Sequence, residues 1–198
     1  MNKRLASRYI DFLKKSTDYS EESLEEIRYV FLSLLSESQR LVLLSLIFGA
    51  FGLIKPFLLC LIALVFTRSQ SGGLHCKTFW GCFFVSFMIF ISAIVVLPGI
   101  AVSQTAFLLI MLLNIGICMM FAPVQSPNRP KMSAKKRRKS KIITTASVAV
   151  IFAFLLLIGE KNSPVFWIVF LQNIQLFIGG IYHGKEKWFC KKGVVRGI

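Results

Sequence analysis

The chain has 198 residues, 55% of them hydrophobic, and carries 24 Lys and Arg against 9 Asp and Glu for a formal net charge of +15. Its apolar residues fall in runs too long for core strands and too uniform for amphipathic helices, which argues against a soluble domain and for an integral membrane protein. The positive charge sits between those runs, where membrane topology expects it, so nucleic acid is not an expected partner; five cysteines, odd in number and irregularly spaced, argue against a disulfide framework.

Residues 1–40 are amphipathic. Leu24, Ile27, Phe31, Leu34 and Leu35 recur at helical spacing, with Glu21, Glu22, Glu25, Glu26 and Arg28 mostly around the other side. Ser20 is placed to cap this helix, and acidic residues fill the first turn, where the helix dipole favours negative charge. The region is expected to lie at the membrane interface. Leu41 to Phe66 is apolar but broken by Gly49, Gly52, Lys55 and Pro56. One kinked span fits, and so do two short legs with a turn at Lys55-Pro56, each shorter than the about 20 residues of a straight span. No cleavable signal peptide is expected, because the first apolar run starts near Leu41, far behind the charged N-terminus.

Phe79 to Leu97 is a full-length apolar run ended by Pro98-Gly99, and Thr105 to Phe121 is another. A basic loop is expected over 122–142. A third run follows from Ile142 to Ile158. Ser163-Pro164 opens the fourth, which reaches about Tyr182, with proline at a tolerated helix start. A basic tail fills 183–198.

Counting Lys and Arg sets the expected orientation. The 122–142 loop holds Arg129, Lys131, Lys135, Lys136, Arg137, Arg138, Lys139 and Lys141, and the tail holds Lys185, Lys187, Lys191, Lys192 and Arg196. The 98–104 loop has none, and the 159–163 loop has Lys161 alone. The basic loop and tail are therefore expected in the cytoplasm; the two runs between put the 68–78 stretch there too, and the seven Lys and Arg of the N-terminal 40 residues favour the same side. If both ends of 41–66 are inside, that segment turns back as a short hairpin. The expected fold is all-α and polytopic, with about six hydrophobic helices, the first two short, plus the N-terminal amphipathic helix.

One polar stretch, Arg68 through Lys77 and on to Cys82, interrupts this layout. It contains His75, Cys76, Cys82 and the pair Gly72-Gly73. A neighbouring imidazole can make a thiol a nucleophile. Cys76 is adjacent to His75, but consecutive side chains do not face each other on a helix. Cys82 is seven residues on, about 10 Å away along a continuous helix and too far for proton transfer. The His75–Cys82 pair works only if His75 lies before the helix and folds back over its first turns, with Gly72-Gly73 supplying the backbone freedom. Arg68 and Lys77 add positive potential that suits a substrate carboxylate. The plainer alternative is a loop histidine beside a membrane helix. A metal site lacks a fourth ligand, and no cofactor is expected. The Lys135–Lys139 run, on its plainer reading, marks topology and meets anionic lipid.

At these residues the sequence resembles the accessory gene regulator B (AgrB) family, the membrane cysteine endopeptidases of peptide quorum sensing. The matching pattern is Arg68, then Gly72-Gly73-Leu74-His75, then Cys82; Ala122-Pro123-Val124 with Asn128-Arg129-Pro130 forms a second match, and the layout fits along nearly the whole chain. Cys76 departs from the family, which often has a small residue there. The resemblance implies an enzyme of the bacterial cell membrane that cuts an AgrD-like precursor peptide on the cytoplasmic side. Cys82 would be the nucleophile and His75 the general base. A thioester on Cys82 would then be attacked by an internal Cys or Ser of the substrate to give a cyclic thiolactone or lactone. The resemblance further implies a homodimer, and an acidic precursor tail that Lys135, Lys136, Arg137 and Arg138 would attract. The rival from another class is a non-enzymatic transporter or structural membrane protein, in which Cys82 would be replaceable.

Overall fold

In a computed structural model, the residues described are 9, 13, 14, 20–71, 78–124 and 133–191. Every regular element among them is a helix. α1 spans Glu21–Ala50, α2 Ile54–Ser71, α3 Phe79–Ile91, α4 Gln104–Phe121, α5 Ala134–Leu157 and α6 Pro164–Lys191; α3 continues through a π-helical turn, Ser92–Val96, and a 3-10 turn, Leu97–Gly99. Five helical segments, Ser23–Ala50, Phe79–Gly99, Gln104–Phe121, Ala134–Leu157 and Pro164–Ile181, are long and apolar enough to cross a membrane. Helices satisfy their own backbone groups, which is what a chain in hydrocarbon requires. The protein is an all-α, polytopic membrane protein. It divides into two compact units, Met1–Ile54 and Lys55–Ile198.

The first unit is built on α1. Ser20 caps it as expected: its Oγ accepts the Ser23 N–H at 3.3 Å, and its carbonyl accepts the Leu24 N–H at 3.0 Å. Tyr9 stacks on Phe31 with ring centroids 4.7 Å apart, and Lys14 pairs with Glu21 at 2.8 Å. Arg40 is buried and pairs with Glu37 one turn back. The helix runs unbroken past residue 40, so the segment expected at the interface and the first apolar leg are one element. It stops at Gly52, whose φ of 71° lets the Leu53 N–H reach the Phe48 carbonyl at 2.8 Å and the Gly52 N–H reach Gly49 at 3.0 Å. The 41–66 stretch is thus two helices, with the turn at 51–53 rather than at Lys55-Pro56. Pro56 lies inside the first turn of α2, where its missing N–H costs nothing.

In the second unit, Thr78, Ser103 and Ser133 cap α3, α4 and α5 through their side-chain oxygens. Pro98 ends the span that starts at Phe79. It has no N–H for the Ile94 carbonyl, and the helix widens and then tightens around that missing bond. α5 begins at Ala134, eight residues before the apolar run. The expected loop through 142 is therefore corrected: Lys135–Lys141 are helical, because Lys and Arg are good helix formers and Ser133 supplies the cap. α5 ends like α1, with Gly159 at φ 75° and the Glu160 N–H on the Leu155 carbonyl at 3.0 Å. α6 continues past the expected end near Tyr182 to Lys191.

Two ends of this unit are fixed by contacts between helices. At one end α4, α5 and α6 meet through the fully buried rings of Phe107, Phe152 and Phe166, with centroids 5.0–6.4 Å apart. Beside them Asn162 donates through Nδ2 to the carbonyls of Pro98 at 2.6 Å and Ile100 at 2.7 Å, and accepts from Trp167 Nε1 at 2.6 Å. At the other end the Val124 N–H donates to the Ser71 carbonyl at 2.9 Å. Midway, Asn173 Nδ2 donates to Asn114 Oδ1 at 2.7 Å and the Cys118 thiol donates to Asn173 Oδ1 at 3.1 Å, joining α4 to α6 by buried polar groups. Apolar side chains such as Leu109, Leu112, Val150, Phe154 and Leu157 remain exposed, which in this setting means facing lipid.

Candidate active site

Cys82 sits in the first turn of α3, at the Ser71–Val124 end. Thr78 takes an extended conformation (φ −118°, ψ 150°) and begins the helix by accepting the Gly81 N–H on Oγ1 at 3.1 Å and the Cys82 N–H on its carbonyl at 3.2 Å. The extended Thr78 rules out one straight helix running into Cys82 from the residues before it. His75 itself lies outside the described residues, as do Gly72, Gly73, Cys76 and Lys77.

The first helical turn leaves the N–H groups of Phe79 and Trp80 without an intrahelical acceptor, a local concentration of positive partial charge. Cys82 is a thiol rather than half of a disulfide, and is only 9% exposed. Phe79, Trp80, Phe83, Phe84 and Phe87 form a chain of ring contacts 5.6–6.4 Å apart around the same turns, with Trp80 59% exposed. This apolar wall excludes water on one side.

Arg68 lies in the last turn of α2, half-buried, three residues before Ser71. The Val124–Ser71 hydrogen bond brings the two sequence matches together: the stretch beginning at Arg68 and the buried Ala122-Pro123-Val124 segment share one backbone junction, with a cis bond before Pro123. Thr67 reinforces this end of α2 by donating from Oγ1 to the Ala63 carbonyl at 3.0 Å.

Lys135, Lys136, Arg137 and Arg138 are all exposed on the first turns of α5. Lys135, Arg138 and Lys139 line an open groove of about 520 Å³ with Ala134, Ile142 and Ile143. Cations at a helix N-terminus oppose the dipole, and the sequence has no Asp or Glu between Glu37 and Glu160 to offset them. The run is therefore an anion-seeking surface.

Sequence reasoning missed the polar residues inside the spans: Asn114, Thr144, Gln172, Asn173 and Gln175 are all buried. Averaging hydropathy over a window hides them. The available signal was that an amide in an apolar span has to face protein rather than lipid.

The chain matches the family model described as accessory gene regulator B over residues 6–190. It is 28% identical over 181 residues to a protein of Clostridium beijerinckii named "Putative AgrB-like protein", covering 88% of this chain and 89% of that one. It is 26% identical over 171 residues to "Putative AgrB-like protein 1" of Clostridium perfringens (strain 13 / Type A), covering 85% and 91%. No solved structure matches.

Proposed function

The chain belongs to the accessory gene regulator B family, and from that membership and the geometry around Cys82 we propose that it is a membrane cysteine endopeptidase that processes and cyclises an AgrD-like signal precursor. The observation that carries this reading is the placement of Cys82: a nearly buried thiol, one turn into a capped helix, at the end of the bundle where the two family motifs meet.

In this reading His75 takes the Cys82 proton and the thiolate attacks the scissile carbonyl. The carbonyl oxygen becomes an oxyanion, stabilised by N–H groups of the kind a helix start presents. The C–N bond breaks, the proton held by His75 passes to the leaving amine, and the acyl group stays on Cys82 as a thioester. An internal Cys thiol or Ser hydroxyl of the same peptide gives its proton to His75 and attacks that thioester, releasing the Cys82 thiolate and closing the ring. Exchange between thioesters costs little, and the tethered nucleophile acts at high effective molarity. The aromatic wall and the low exposure of Cys82 favour ring closure over hydrolysis.

The exposed Lys135–Arg138 turns suit an acidic precursor tail, with anionic lipid as a competing ligand. The Lys and Arg distribution supports a cytoplasmic site and cytoplasmic termini in a bacterial cell membrane, and the family supports a homodimer. Arg68 and Lys77 are candidates for holding a carboxylate near the thiol.

The test is cleavage by the protein in liposomes, using as substrate a short peptide encoded beside its gene that has an internal Cys or Ser and an acidic tail. Cys82→Ser should lower cleavage at least about 10⁴-fold, as removal of a nucleophile does elsewhere, and His75→Ala should approach the same level. Retained cleavage by a fully inserted Cys82→Ser variant would overturn the proposal in favour of a non-enzymatic membrane protein.

A further inference from the structure

α6 carries two buried stripes. Phe166, Val169, Asn173, Leu176 and Gly180 serve α4 and α5: Phe166 meets Phe107 and Phe152, Asn173 meets Asn114 and Cys118, and Gly180 lies against the ring of Phe121. Ile168, Gln172 and Gln175 form a second stripe, roughly a third of a turn around the helix. The Phe79–Gly99 segment also packs on α6, chiefly through its Ser92–Gly99 part and more lightly through Phe79–Ile91. On that segment Phe90 is turned to α2, where it meets Phe57 at 4.8 Å. Cys82, Ser86 and Ala93 make the adjoining stripe, with Cys82 and Ala93 buried.

The hydrogen bond from Asn162 to Pro98 fixes the level of these two antiparallel segments. Ser86 precedes Pro98 by twelve residues and Gln175 follows Asn162 by thirteen. At about 1.5 Å per residue, with the wider π-helical turn and the tighter 3-10 turn of Ser92–Gly99 changing the rise in opposite senses, both lie roughly 18–20 Å from that bond and so at a similar level; Cys82 is one helical turn further on. Gln175 is 8% exposed, and its Oε1 is buried with no hydrogen-bond partner among the described residues. A buried amide oxygen without a donor is costly and calls for one.

We infer that Gln175 is a substrate-binding residue of the Cys82 site: with Ser86 it forms a polar floor one turn beneath the thiol and accepts a hydrogen bond from a backbone N–H of the peptide being processed. The inference rests on the reading of Cys82 as nucleophile. A peptide strand drawn into a water-poor site brings N–H groups that lose their hydration and need acceptors. Gln175 supplies one at the depth an acyl group on Cys82 would place the adjacent residues.

The test compares two alkylating probes on the full-length protein in liposomes: a tripeptidyl chloromethyl ketone, which has a peptide backbone, and iodoacetamide, which has none. In the native sequence Cys82 should prefer the peptidyl probe. Gln175→Met should cut peptidyl labelling about 5- to 10-fold, the range of one neutral hydrogen bond, and leave iodoacetamide labelling unchanged. N-methylating the probe backbone should cause a similar loss in the native protein and no further loss in the variant. The Tm of Gln175→Met should hold or rise, because an unpartnered buried acceptor has been removed; a structural glutamine would lower it. Undiminished peptidyl labelling of Gln175→Met, or a lowered Tm with both probes slowed alike, overturns the inference and leaves the nucleophile reading standing. A native Cys82 with no preference for the peptidyl probe overturns both.

Discussion

The two ends of the 55–191 bundle are built on opposite principles. The Asn162 end is closed. Three interlocked phenylalanines fill it, and every polar atom of the Asn162 side chain has a partner across the loops. Towards the Cys82 end the same helices carry buried polar side chains, and two of these oxygens, Thr144 Oγ1 and Gln175 Oε1, have none among the described residues. On the proposed function, the difference keeps stability and chemistry at separate ends. One end supplies packing that holds the helices in register; the other tolerates unsatisfied groups, as functional sites commonly do.

Substitutions at the two ends should therefore separate activity from stability. The largest effect is that of Cys82→Ser, with catalysis lost and Tm unchanged. Phe107→Ala should do the reverse. It empties the centre of the aromatic cluster and should cost about 3–5 kcal/mol of stability, read as a lower Tm, while kcat/KM of the remaining folded protein stays near the native value. Equal losses of activity and stability from both changes would dissolve the distinction. Asn162→Ala removes three hydrogen bonds at the closed end and should cost about 1–3 kcal/mol, seen as a lowered Tm without change in Cys82 labelling by iodoacetamide. The smallest effect sharpens the contrast. Thr144→Val replaces an unpartnered hydroxyl by a methyl of the same shape and should shift stability by no more than about 0.5 kcal/mol in either direction, within the weak range of polar contacts in membranes.

Much of this was legible in the chain. Pro98, Pro123 and Pro164 stand at or just beyond helix limits for the reasons their chemistry gives, and Ser20 caps the helix it was expected to cap. Two features were not. The start of α5 was hidden because a run of Lys and Arg has no apolar period to mark it as helical, although its intrinsic preference is helical. The break after α1 was placed at the conspicuous proline, whereas the residue that ends the helix is Gly52, whose φ of 71° no proline can adopt. In the candidate site, Arg68 and Cys82 could be picked out by residue type and spacing, and Ala122-Pro123-Val124 through the family resemblance. Gln175 could not, since its place beneath Cys82 depends on the register between helices about 90 residues apart in sequence.

The single hydrogen bond between Val124 and Ser71 has a bearing on how members of such a family can exchange parts. It is the common doorstep of two segments, one leading towards Cys82 and the other towards the basic turns of α5. A graft that carries residues 68–82 from a relative, but keeps the host's 122–124, joins two backbones selected against different partners. Moving both together transfers a matched junction. On the proposed function, residues 68–82 and 122–124 are therefore expected to keep activity in a graft only when they are moved together.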